Sequence, residues 1–79
     1  MIKILVVEDE KVLSENIREI LKDIGEITQV YDGEEALYEA SSGVYDLLLL
    51  DLMLPGKHGY QVLAELRSQN VQSRVLVLA

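Results

Sequence analysis

Three carboxylates stand where a chain of this pattern can do chemistry. Glu8 and Asp9 directly follow the apolar run Ile4–Val7, and Asp51 directly follows Leu47–Leu50. Brought together, three ionised carboxylates repel one another. The usual remedy is a hard divalent cation with oxygen ligands, and Mg²⁺ suits a site of few carboxylates and several waters. A carboxylate can also act as nucleophile toward phosphorus, with a metal offsetting charge on the donor and acceptor oxygens. Each acid has a plainer reading when taken singly. Glu8 and Asp9 suit the amino end of a helix, where negative charge is favourable. Asp51 is harder to explain that way, because a carboxylate closing a buried strand is expensive unless it is used.

The elements that must position these acids are read from the apolar pattern. Ile4–Val7, Leu47–Leu50 and Val75–Leu78 are short and apolar on both faces, as buried parallel strands are. Glu26–Tyr31 mixes polar and apolar residues and reads as a half-exposed edge strand. Val12, Leu13, Ile17, Ile20, Leu21 and Ile24 recur at helical spacing, with Gly25 as a C-terminal stop. Ala36, Leu37 and Ala40 make a second helix, opened by Asp32-Gly33 and closed near Gly43; Tyr60, Val62, Leu63 and Leu66 make a third, entered through Gly59.

This alternation predicts an α/β fold, a single domain over residues 1–79, with helices on the faces of a parallel sheet. Right-handed crossovers limit the topology: if strand 1 pairs with strand 2 on one side and strand 3 on the other, the order is 2-1-3-4, with the first helix on one face and the other two opposite. Ligands of such sheets bind beyond the carboxyl ends of the strands where the winding reverses, between strands 1 and 3. Glu8, Asp9 and Asp51 belong to that point.

The fourth strand, Val75–Leu78, is as apolar as a central one although it is the last element. Four strands span nearly 20 Å and need about two helices of about 10 Å width on each face, whereas one face has the first helix alone. The expectation is therefore an incomplete fold whose bare apolar edge pairs with a second copy, most commonly in a C2 dimer. The competing expectation is a frayed terminal strand.

Composition narrows the function classes. The chain has 79 residues, 7 basic and 14 acidic, for a net charge of −7. That balance opposes a nucleic-acid surface and an anionic membrane face. The absence of Cys removes disulfides, thiolate metal sites and cysteine nucleophiles, and favours an intracellular, cytoplasmic home. No apolar run approaches the roughly 18–20 residues of a membrane span, and Met1-Ile2-Lys3-Ile4 leading into Glu8-Asp9-Glu10 is no signal peptide. Tyr31, Tyr38, Tyr45 and Tyr60 form no stacking stripe with basic neighbours. His58 reads as a solvated loop residue, Pro55-Gly56 as a turn, and Glu34-Glu35 as a helix-dipole pair in the first turn of the second helix.

Taken together, Ile4-Leu5-Val6-Val7-Glu8-Asp9-Glu10, Asp32-Gly33 with Ala36-Leu37, and Tyr45-Asp46-Leu47-Leu48-Leu49-Leu50-Asp51-Leu52-Met53-Leu54-Pro55-Gly56 with Gly59 resemble the receiver domain of bacterial response regulators. The Met53-Leu54-Pro55-Gly56 loop is similar to receivers of the winged-helix transcription regulators. The resemblance runs from Met1 to about Leu78. It implies a flavodoxin-like fold in which Asp51 is the phosphoacceptor, taking a phosphoryl group from a sensor histidine kinase. It implies that Glu8 and Asp9 bind Mg²⁺ together with Asp51, and that the backbone carbonyl of Met53 completes the protein ligands.

There are departures from that pattern. Receivers have five strands and five helices, and this chain reaches the fourth strand. The family's switch Ser or Thr falls at Ala79, where the hydroxyl is absent, and the Lys that ends the fifth strand has no counterpart. Lys57, in the loop after strand 3, matches no motif. The fourth and fifth helices, which the family uses for dimerisation and output, are missing too. The resulting expectation is a receiver truncated after its fourth strand, with Mg²⁺-dependent phosphorylation at Asp51 and completion as a homodimer through strand 4. No independent catalytic activity is expected of it. The alternative is a self-associating structural unit with no working phospho-switch. A hydrolase of the aspartate-phosphoryl type would carry a second Asp two residues after the nucleophile, where this chain has Met53.

Overall fold

Strands and helices alternate strictly along the chain in a computed structural model that describes residues 1–78. Their order is β1 (Ile2–Val7), α1 (Lys11–Leu21), β2 (Gly25–Val30), α2 (Gly33–Ala40), β3 (Leu47–Asp51), α3 (Gly59–Ser68) and β4 (Arg74–Leu78). All pairings are parallel and the spatial order is β2-β1-β3-β4, the order expected above.

Alternation along the strands sends side chains to two separate cores. Leu5, Val7, Leu48 and Leu50 face α2 and α3, where they pack with Ala36, Ala40, Tyr45, Val62, Leu66 and Val71. Ile4, Val6 and Leu49 face the other way, against Ile17 and Leu21 of α1. Burying each such aliphatic side chain contributes about 1.5–3 kcal/mol. The two-helix face therefore supplies most of the cohesion.

The first helix is shorter and less apolar in its contacts than its sequence pattern indicates. It ends at Leu21, and Gly25 opens β2 instead of closing the helix. A Cβ at Gly25 would come within 2.8 Å of Ile4 Cδ1, so this position is needed for close pairing of β1 and β2. The helix turns one stripe to the sheet, made of Ser14, Ile17 and Leu21, while Val12, Leu13 and Ile20 lie off that stripe and are exposed. Ser14 is fully buried with its hydroxyl engaged: Gln29 Nε2 donates to Ser14 Oγ at 2.9 Å. Ile24, beyond the helix, is exposed as well.

At the other edge, β4 pairs with β3 along its whole length, from Leu47↔Arg74 to Asp51↔Leu78, so the strand is formed and not frayed. Leu76 and Val77 remain 56% and 43% exposed, which is unusual for a strand of this hydrophobicity. Ties at the amino end of the sheet secure the approach to β4. Arg67 donates to the carbonyls of Val71 and Ser73 at 2.7 and 3.0 Å, and Ser73 Oγ donates to the Tyr45 carbonyl at 2.5 Å. Among the described residues, no helix is long and apolar enough to cross a membrane.

Candidate metal centre

The carboxyl ends of β1 and β3 lie side by side in the sheet, with Val7 opposite Leu50. The residue that follows each strand's apolar run is thereby delivered to one crevice. Glu8, Asp9 and Asp51 each place a carboxylate oxygen there, and these three oxygens lie within 4.8 Å of one another. Glu8 is buried at 4% exposure and Asp51 at 9%, whereas Asp9 faces solvent.

Hydrogen bonds to the backbone aim two of these groups. The amide of Glu10 donates to Glu8 Oε2 at 3.1 Å, and the amide of Met53 donates to Asp51 Oδ1 at 2.9 Å. Met53 stands at the mouth of the crevice with its side chain exposed. The loop from Met53 onward turns at Pro55-Gly56, where Gly56 has φ 76°, as a type II turn needs at its second central residue. It then runs into α3. At that junction a Cβ on Gly59 would lie 2.6 Å from the Asp51 carbonyl oxygen and 2.7 Å from Leu52 Cα. Glycine lets the start of α3 press against the end of β3.

The electrostatics suit a cation. Burial pushes the Glu8 carboxyl above its ordinary 4.5, opposed by the Glu10 amide and reinforced by the charge of Asp51 and by hydrogen bonding with Asp9 and Asp51. A donor set of three crowded carboxylate oxygens, one of them on a side chain whose ionised form burial disfavours, fits a hard divalent cation.

The sign of the pH effect follows. Folded, metal-free protein keeps a proton on Glu8 to higher pH than the unfolded chain does. This contribution to stability is full below about pH 4.5 and is lost as pH rises through the raised folded value. We expect Glu8→Gln to remove that loss. Urea midpoints in chelator, followed from about pH 4 to about pH 7, should fall for wild type relative to E8Q; parallel curves would contradict the assignment.

The structure brings together the three acids singled out in the sequence, with Met53 beside them. Ala79, the position matched to the switch hydroxyl, lies outside the described residues. His58 is exposed just before α3, its amide donating to Gln61 Oε1 at 3.1 Å, in agreement with a loop role. Lys57 is engaged elsewhere, its Nζ 3.0 Å from Glu65 Oε1. Glu34 and Glu35 occupy the first turn of α2. One basic–aromatic contact does exist: Lys11 Nζ sits 5.3 Å from the centroid of the Tyr31 ring. A surface cavity of about 760 Å³ lies over α2 against Tyr38, Lys57 and Gln69, and none of the three carboxylates lines it.

The close packing at Gly33 and Gly59, each at the start of a helix, was not apparent from spacing. Their signal is a Gly at the first position of a helix that immediately follows a loop, where a missing Cβ permits close approach.

The chain belongs to the response regulator receiver domain family, whose model matches residues 4–79. It is 58% identical over 78 residues to the transcriptional regulatory protein CiaR of Streptococcus pneumoniae, a match covering 99% of this chain and 35% of that protein. The chain thus spans about a third of the length of the curated relatives it matches. Among solved structures, the response regulator TrrA of Thermotoga maritima in complex with Mg(2+)-BeF is similar with TM-score 0.89 and 38% identity, over 98% of this chain and 68% of that one. A crystal structure of the histidine kinase ThkA in complex with TrrA matches with TM-score 0.89 and 39% identity, over 100% of this chain and 69% of that one.

Proposed function

We propose that residues 1–79 form one receiver unit that accepts a phosphoryl group on Asp51 in a Mg²⁺-dependent reaction, with a sensor histidine kinase as donor, in the cytoplasm. The observation that carries this reading is the convergence of Glu8, Asp9 and Asp51 at the carboxyl edge of the sheet. The similar structure of TrrA with Mg(2+)-BeF and that of ThkA with TrrA support it.

Glu8, Asp9, Asp51 and the backbone carbonyl of Met53 would hold the ion. When bound, Mg²⁺ supplies positive charge that offsets the charge of the donor and acceptor oxygens. The protein's own part is to present a nucleophile. The Met53 amide fixes Asp51 through Oδ1 and leaves Oδ2 to meet the phosphorus. An O–P bond to Asp51 forms, the P–N bond of the donor phosphohistidine breaks, and its electron pair stays on the imidazole nitrogen. Asp51 is consumed in this step, so the chain acts as a signalling acceptor and has no independent catalytic cycle. The test is incubation with acetyl phosphate and Mg²⁺. Intact mass should increase by one phosphoryl group, located by peptide mapping at Asp51 and lost in chelator. No mass gain with either acetyl phosphate or a histidine kinase would overturn the proposal.

A second reading concerns assembly, and the exposure of Leu76 and Val77 on β4 favours it. A strand with apolar side chains and an edge that is unpaired among the described residues is a template for a second copy. We expect wild type to be a dimer in solution and Val77→Lys to be a monomer by light scattering. An unchanged mass in that variant would refute pairing through β4.

A further inference from the structure

We propose that Gly33, the first residue of α2, is a positioning residue for the metal centre: its missing side chain seats the loop after Asp51 so that Asp51 and Met53 face Glu8 and Asp9. This inference rests on the receiver reading for its metal arm only. Gly33 is buried, and its amide donates to the Pro55 carbonyl at 3.2 Å. A Cβ built on it would collide with the Lys57 carbonyl oxygen and would lie 2.6 Å from Lys57 Cβ and 2.7 Å from the Lys57 carbonyl carbon. Two of those three atoms are backbone, so a rotamer change cannot relieve the overlap; the loop itself has to move.

The loop has few places to absorb such a movement. Its near end is fastened by the Met53 amide on Asp51 Oδ1 (2.9 Å), and its far end by the Gly59 amide on the Leu52 carbonyl (3.1 Å). Leu54 is buried between them, and Lys57 is paired with Glu65. Gly33 is the anchor that comes from a distant part of the chain, and it holds the turn formed by Pro55 and Gly56. Pushing Lys57 away from α2 drags that turn, and Leu52–Leu54, tied to Asp51 through the Met53 amide, join the turn to Asp51. Outer-shell groups that orient metal ligands typically control affinity by about 10–100-fold.

The experiment uses the full chain, with two readouts: hydrogen exchange of the Met53 amide without metal, followed by NMR, and Mg²⁺ affinity by titration. Gly33→Ala should speed Met53 exchange by about tenfold and weaken Mg²⁺ binding by about tenfold. Gly25→Ala serves as the stability control. Its Cβ meets chiefly the Ile4 side chain at the opposite end of the sheet, so it should lower the melting temperature and leave both readouts near wild type. If Gly33→Ala does not fold, Lys57→Gly leaves the carbonyl facing Gly33 in place but removes the neighbouring Cβ and frees the loop backbone at the point Gly33 seats, and should move both readouts in the same direction. Wild-type values in the folded Gly33→Ala protein, or in Lys57→Gly where Gly33→Ala does not fold, would overturn the proposal, as would an equal loss in Gly25→Ala. Wild-type protein that binds no Mg²⁺ would sink the receiver reading, while Met53 exchange would still decide the role of Gly33.

Discussion

Asp51→Asn is expected to abolish phosphoryl incorporation, by at least about a thousandfold and to the detection limit, while making the metal-free protein more stable. The two effects have one cause. Asn keeps an oxygen to accept from the Met53 amide, so the loop conformation survives. What disappears is the nucleophilic charge, and with it one of the three negative charges crowded within 4.8 Å. Relief of that repulsion lets the buried Glu8 ionise more easily and should be worth on the order of 1 kcal/mol or less in chelator. A variant that loses labelling because it misfolds would lose stability as well, so the opposite movement of the two measurements identifies the acceptor. Labelling that persists in D51N would move the acceptor to another residue.

The second large effect concerns the fold. Leu48→Ala should cost about 2–5 kcal/mol in a urea titration, enough to unfold a substantial fraction of a domain whose total stability is about 5–15 kcal/mol and, at this size, near the low end. Leu48 is fully buried, flanked in the sheet by Leu5 and Val75, and packed toward α2 and α3. The matched comparison is Ile20→Ala. Ile20 is as hydrophobic but 77% exposed on α1, and its loss should stay within about 0.5 kcal/mol. Equal costs at the two positions would mean that the core does not lie where the two-helix face places it.

These two residues also mark what could be read from sequence and what could not. Leu48 belongs to a run that is apolar on both sides, which only a strand covered on both faces tolerates, and from such runs the strands and the position of Asp51 both followed. Ile20 belongs to a helical pattern that counts apolar residues without knowing how many of them the sheet can receive. Ser14 takes a place on the buried stripe because Gln29 satisfies its hydroxyl, a long-range fact that no periodicity carries. Gly25 was legible as a backbone-permissive residue, but its purpose, close pairing with β1, depends on Ile4. In the site, the three acids were visible because each ends an apolar run. Gly33 lies 18 positions before Asp51 and touches the loop only after folding, so its part in the arrangement had no local signature beyond the Asp-Gly pair that opens α2.

The central place of β1 has a consequence for how the protein is made. Ile4–Val7 leave the ribosome before their partner Leu47–Leu50, which is synthesised about 40 residues later. At about 5–20 residues per second, that is an interval of roughly 2–8 s. Throughout it, the segment apolar on both faces can pair at most with β2 and has one side open. The chain is therefore most vulnerable to association with other nascent chains before Asp51 has been translated. A synonymous change that slows translation between β2 and β3 would lengthen that exposure while leaving the finished protein identical.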